Sequence, residues 1–336
     1  MVMKADFIST GLVMLWVAVI STVPCWTPFA SVPDCNSMGI ISRIPALYRA
    51  IVIILFGIFA FDLMGVFVRI LGEEFPIFQI SVMRNIFGTI PALLLVLAAR
   101  SMTGLRKICT PYQIGLCMFR GIVVIFAQIC YYTALSHIAF ATATTLAFAG
   151  PMFITALSVP VLGHKVGFWR WSAVILGFIG VIIIMRPGAD AFELYAVLPV
   201  LAAMGYALSS ITVRLFHDEV GSSEIQLVTQ LFSLIFSIII MYIFSNPLPI
   251  SSGEEWGKFI IMGFCGGIGV LCLVTSYRLA EPGQVAPFEY LGIPISFILG
   301  YIFFFEAPFD QLIPGVFLII AAGLIIVWRE RRLKSA

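Results

Sequence analysis

Gly180-Val181-Ile182-Ile183-Ile184-Met185-Arg186 returns 143 residues later as Gly323-Leu324-Ile325-Ile326-Val327-Trp328-Arg329. Both runs open on glycine, continue through branched apolar residues and stop at arginine, and Pro151 meets Pro294 at the same offset. Working back along the chain, an offset of 145 lays Phe67-Val68-Arg69-Ile70-Leu71 on Thr212-Val213-Arg214-Leu215-Phe216. It also lays Asn85-Ile86-Phe87 on Gln230-Leu231-Phe232, and Phe119, Gly121 and Tyr132 on Phe264, Gly266 and Tyr277. Ordered matches of this kind describe one unit used twice, a plan common among membrane carriers.

The unit is a bundle of apolar helices. Of 336 residues 61% are hydrophobic and 11% charged, with 30 Phe and a mean hydropathy of +1.09, whereas soluble domains carry about 25% charge. Runs long enough to cross about 30 Å of hydrocarbon fall at 50–71, 76–98, 113–135, 139–162, 169–186, 192–214, 224–245, 258–278, 284–305 and 312–329. Lipid leaves unpaired backbone groups unsatisfied and these runs lack the alternation of barrel strands, so helices are required. Five helices per copy is an odd number, so the second copy enters the membrane from the opposite face. The expected fold is all-α and integral to the membrane, with ten transmembrane helices as two inverted five-helix repeats, residues 46–188 and 189–336. Residues 1–45 form an N-terminal extension with one further hydrophobic run, Phe7 to Val23. That run lacks an Ala-x-Ala cleavage site, and it reads either as an extra helix or as sequence upstream of a start at Met38.

Charge placement orients the bundle. With the first helix entering from the cytoplasm, the inner side collects Arg43, Arg49, Arg100, Arg106, Lys107, Lys165, Arg170, Arg214, Arg278, Arg329, Arg331, Arg332 and Lys334. The outer side collects Lys4, Arg69, Arg186 and Lys258, which places the C-terminus in the cytoplasm. The net charge of +2 is too small to suggest a nucleic-acid partner, and the seven cysteines lack CxxC spacing.

Val82-Met83-Arg84-Asn85, Met118-Phe119-Arg120-Gly121, Thr142-Ala143-Thr144-Thr145 through Gly150-Pro151, and Val285-Ala286-Pro287-Phe288-Glu289-Tyr290 resemble the EamA-type ten-helix branch of the drug/metabolite transporter superfamily. The resemblance covers about residues 46–333. It implies secondary transport of small organic metabolites through a central cavity, without an ATP site. One departure stands out: the Gly-Glu pair with which that family commonly ends its fourth helix is Gly163-His164 here, while the ninth helix keeps Glu306. If that position closes a gate or senses protons, the first half behaves differently from the second; the proton- or amine-responsive group expected from the sequence is Glu289, the only carboxylate well inside a span of the second half.

Ionisable groups inside a bilayer cost roughly 2.5–3.5 kcal/mol each on insertion scales, so they face a cavity or one another. Asp62 and Arg84 both lie about 20 Å from the inner end, and Arg120 and Glu289 about 10 Å. Equal depth predicts two opposite-charge pairs, Asp62 with Arg84 and Arg120 with Glu289, serving either a solute site or helix packing; Arg120 could instead snorkel to the inner interface. Such a neutral set suits a polar or zwitterionic solute. Gln226, Thr229, Gln230 and Ser233 form a polar stripe on the seventh helix, as Tyr206, Ser209 and Ser210 do on the sixth. The candidate solute contacts are Asp62, Arg84, Arg120, Gln128, Tyr132, Tyr206, Gln230, Glu289 and Tyr290. Pro151 and Pro294, at equivalent positions of the two copies, are candidate hinges.

No HExxH, Walker loop, nucleophile elbow or Cys/His cluster occurs, so neither a metal nor another cofactor is expected and the protein is read as no enzyme. The sequence predicts a multi-pass inner-membrane secondary carrier for an amino acid derivative, an S-adenosylmethionine-like sulfonium or a riboflavin-like vitamin. Proton coupling and a homodimer are both compatible with it. The rival class is a membrane-embedded structural or interaction subunit, which has no need of four buried charges.

Overall fold

The computed structural model describes residues 46–98, 108, 110–162, 168–185, 194–216, 220, 222–279, 286–306 and 312–334. The Phe7 to Val23 run and the whole segment 1–45 lie outside them, as do Gly163, His164, Arg186 and His217.

The described residues form eleven α-helices and no strand. They are α1 (Ala46–Leu71), α2 (Ile77–Ala98), α3 (Pro111–Leu135), α4 (Phe140–Ala147), α5 (Gly150–Leu162), α6 (Phe168–Met185), α7 (Val197–Thr212), α8 (Ser222–Phe244), α9 (Gly253–Leu279), α10 (Gly292–Phe304) and α11 (Gly315–Lys334). Short 3₁₀ turns flank α7 at Leu194–Ala196 and Val213–Leu215, and another, Ala286–Leu291, leads into α10. Among the described residues, six helical stretches are long and apolar enough to cross a membrane: α1, α2, α3, α7 with its leading turn, α8 and α9. Of the remaining expected spans the fourth and ninth are broken, while α6 and α11 run 18 and 20 residues.

Local chemistry sets several boundaries. Thr110 caps α3 by accepting from the Gln113 N–H at 3.4 Å, and Pro111 occupies the first helical position, where no amide is needed. Helix α9 begins five residues before its apolar run because Ser252 and Glu255 form a reciprocal cap. The Glu255 N–H donates to the Ser252 hydroxyl at 3.1 Å, and the Glu255 carboxylate accepts from the Ser251 and Ser252 amides at 2.8 and 3.2 Å.

The packing follows the repeat. Helix α9 lies along α1 and α2 in the first half, and its counterpart α3 lies along α7 and α8 in the second. Helix α5 packs on α7 as α10 packs on α1. Two pairs of equivalent helices meet across the pseudo-two-fold axis, α2 with α8 and α6 with α11, and α4 of the first half packs on α10 of the second. Each pair is antiparallel. Phe140 lies beside Gly300 and Phe148 beside Gly292, while Gly177 lies beside Ala322 and Gly180 beside Gly315. This is the inverted arrangement that five-helix repeats require. The closest approach is at Gly180 and Gly315: a methyl on Gly180 would lie 2.8 Å from the Gly315 carbonyl oxygen, and one on Gly315 would lie 2.6 Å from that of Gly180. Gly263 and Gly267 similarly let α9 settle onto Phe87, Gly88 and Pro91 of α2, the close packing that GxxxG spacing predicts.

The fourth and ninth spans differ from the expectation of continuous helices. The fourth is interrupted at 148–149, between α4 and α5, and the ninth begins as the 3₁₀ turn before α10. Pro151 and Pro294 each fall in the first turn of the helix that follows the irregularity. A missing amide costs nothing there, and a fixed φ favours restarting the helix.

Candidate functional site

At the centre of the bundle Asn85 gathers three side chains. Its Oδ1 accepts from Gln230 Nε2 at 2.8 Å, from Arg84 Nη1 at 3.0 Å and from Gln128 Nε2 at 3.3 Å. Gln128 Oε1 in turn accepts from Ser81 Oγ at 3.0 Å and Asn85 Nδ2 at 3.3 Å. All five residues are buried. The network joins α2, α3 and α8, and the Asn85 to Gln230 bond links equivalent residues of the two repeats. A cleft between α2, α8 and α9 reaches it, lined by Arg84, Gly88, Gln226, Gln230 and Gly267 among others.

The charge pairs expected from depth do not form. Arg84 is directed to Asn85, and its guanidinium lies against Gly266 and close to Met64. Asp62 is 6% exposed and its Oδ2 has no hydrogen-bond partner. Equal height fixes position along the helix axis but not around it. Asp62 stands one helical turn from both Ile58 and Gly65, on the face toward α4 and α10, whereas Arg84 meets the Met64 face of α1. Arg120 is 5% exposed, so it does not snorkel to the interface. It donates to the Ser209 carbonyl, to Thr229 Oγ1 at 3.3 Å and to Thr212 Oγ1 at 3.4 Å, which ties α3 to α7 and α8. Glu289 lies in the 3₁₀ turn that packs on α1, α10 and α11, and no ion pair joins it to Arg120 among the described residues.

The polar stripe of α8 is used largely between helices. Thr229 serves Arg120, Gln230 serves Asn85, and Ser233 donates to the Gly121 carbonyl at 3.4 Å. Tyr131 lies within electrostatic range of Asp62, Tyr132 and Tyr206, and both Tyr132 and Tyr206 lie within that of Arg84. Among the described residues, buried polar atoms without a partner are Asp62 Oδ2, the Thr142 and Thr145 hydroxyls of α4, the Tyr290 hydroxyl, Arg84 Nε, Arg49 Nε and Gln113 Oε1. Orphaned polar atoms are rare inside proteins, and each is a point where a further partner can bind.

Sequence reading singled out Glu306 but not its partner. The Arg69 guanidinium binds both Glu306 carboxylate oxygens, at 2.9 Å from Nη1 to Oε2, and rests 4.4 Å above the Phe304 ring. Glu306 Oε2 also accepts the Phe140 N–H at 2.9 Å, capping α4. Phe305, at φ 55° in the left-handed region, turns the chain out of α10 so that Glu306 reaches back. One carboxylate therefore clasps α1 and α4 of the first repeat to α10 of the second. The clasp was hidden because its members are 237 residues apart in sequence.

Comparison with known proteins accords with this architecture. The EamA-like transporter family matches the chain twice, over residues 48–186 and 194–328. An S-adenosylmethionine uptake transporter of Rickettsia felis is 26% identical over 272 residues, covering 80% of this chain and 88% of that protein. A pseudopaline exporter of Pseudomonas aeruginosa is 25% identical over 272 residues, covering 80% of this chain and 92% of the exporter. A riboflavin transporter of Rhizobium johnstonii is 30% identical over 191 residues, which are 56% of this chain and 62% of that one. A solved crystal structure sharing 19% identity superimposes with a TM-score of 0.59 over 85% of this chain and 99% of its own, a likeness of fold. With both five-helix halves matched and the inverted packing in place, the chain is a multi-pass membrane protein that belongs to the EamA-like transporter family.

Proposed function

We propose that the chain is a secondary carrier that moves a small polar or zwitterionic metabolite across the inner membrane by alternating access, with its C-terminus in the cytoplasm. The observation that carries this reading is the set of buried polar atoms without partners on Asp62, Thr142, Thr145 and Tyr290, in or level with two irregular spans at repeat-related places. A packing-only bundle would satisfy those atoms, since each unpaired buried polar group costs about 1–3 kcal/mol. A solute satisfies them transiently, and the breaks at 148–149 and 286–291 give the halves 46–188 and 189–336 places to flex.

Relatives that handle S-adenosylmethionine, riboflavin and pseudopaline define the solute range to test. In this reading the clasp of Arg69 and Glu306 closes the periplasmic end, and the protein acts without ATP, cofactor or chemical conversion. Transport of radiolabelled S-adenosylmethionine and riboflavin is to be followed in right-side-out and everted vesicles from cells making the chain. Movement of one solute above control vesicles, competed by the unlabelled compound and recovered chemically unchanged, is the expected result. Recovery of a converted product would contradict the non-enzymatic reading.

A further inference from the structure

Asp62 is a carboxylate without a counter-charge in the middle of the bundle. Each cation that could reach it is committed elsewhere: Arg84 to Asn85, Arg69 to Glu306, and Arg120 to Ser209, Thr212 and Thr229. Arg49, on the same helix, is about 20 Å away along its axis. A buried carboxylate so placed is neutralised by a proton or by a cation brought from outside.

Its surroundings favour the second. Gly65 packs on the Phe140 ring, while Ile58, one turn below Asp62, shares the surface of Gly292 with Phe148. With α1 and α4 antiparallel, this register sets Asp62 level with the stretch from Thr142 to Thr145, whose two orphaned hydroxyls are oxygen atoms able to face a positive group. The Tyr131 phenol oxygen lies within electrostatic range of the Asp62 carboxylate. Carboxylate, hydroxyls and an aromatic side chain together are the chemistry that holds alkylated cations.

We propose that Asp62 selects solutes carrying a sulfonium or ammonium group, which it binds directly on the α4 and α10 side of α1. This rests on the carrier reading and sharpens it: the site discriminates by charge at one atom of the solute.

S-adenosylmethionine and S-adenosylhomocysteine test it, because they differ by one methyl group and the positive charge on sulfur. Each competes, unlabelled, against exchange of labelled S-adenosylmethionine in proteoliposomes of the full chain, with riboflavin exchange measured in parallel. The expected result is a preference of about tenfold or more for the sulfonium in the wild type. Asp62→Asn removes that preference and Asp62→Glu retains part of it. Equal competition by the two compounds, or a preference that survives in Asp62→Asn, overturns the proposal, and the wild-type ratio decides even if both variants fail to fold. Exchange of riboflavin without exchange of the sulfonium overturns the charge selection and leaves the carrier reading standing. Exchange of neither solute overturns both.

Discussion

Asn85 and Gln230 hold the same position in the two repeats, and they hydrogen-bond to each other at 2.8 Å across the axis that relates them. An inverted duplication places equivalent residues face to face wherever they lie near the axis. Here both are amides, which can donate and accept at once. Asn85 Oδ1 takes the larger share, with three donors.

That inequality is testable. Asn85→Ala leaves Arg84 Nη1 and two glutamine amides without their acceptor, and should destabilise the protein by about 2–3 kcal/mol. Gln230→Ala removes one bond and should cost about 1 kcal/mol or less, near the 0.6 kcal/mol average of interhelical bonds in membranes. Unfolding of the purified protein in detergent gives the order; equal losses would show that Asn85 is not the hub.

The clasp between Arg69 and Glu306 predicts an asymmetric rescue. Glu306→Arg sets two guanidinium groups together and should abolish transport, and adding Arg69→Glu should restore part of it. Recovery stays incomplete because arginine cannot accept the Phe140 N–H. Full recovery in solute uptake would mean the α4 cap is dispensable, and no recovery would mean the pair does not act as a unit.

Glycines separate close packing from bare helix propensity. Gly180→Ala forces a methyl within 2.8 Å of the Gly315 carbonyl and should lower the melting temperature. Gly115→Ala, in α3 with nothing within 4 Å, should raise stability by about 0.5–1 kcal/mol through propensity alone. Thermal unfolding of both variants in one detergent decides, and a destabilised Gly115→Ala would place a neighbour against that face.

Much of the fold was legible because apolar length and repetition are properties of the chain itself. Ten spans and the inverted halves followed from runs such as 180–186 and 323–329. Boundaries set by polar caps were harder: α9 starts at Gly253, not near 258, although the Ser252 and Glu255 spacing carried the signal. The breaks near Pro151 and Pro294 were foreshadowed by the prolines but not their form, since each proline restarts a helix without bending one. How the candidate residues connect was not legible. Arg84, Gln128 and Gln230 meet at Asn85, yet the pairing of Asp62 with Arg84 failed because depth carries no angle about the helix. Arg120 went to hydroxyls and a carbonyl, ligands that a search for opposite charges overlooks.

The central claim, transport by a binding site exposed to each side in turn, is tested most directly by counterflow. Purified protein in proteoliposomes loaded with unlabelled S-adenosylmethionine is diluted into a trace of the labelled compound, with no ATP and no ion gradient, and the same is done with riboflavin. An alternating-access carrier drives a transient accumulation of label above equilibrium for its solute, abolished when the interior is empty. Label that never exceeds the level in protein-free liposomes, for either solute, would contradict the account.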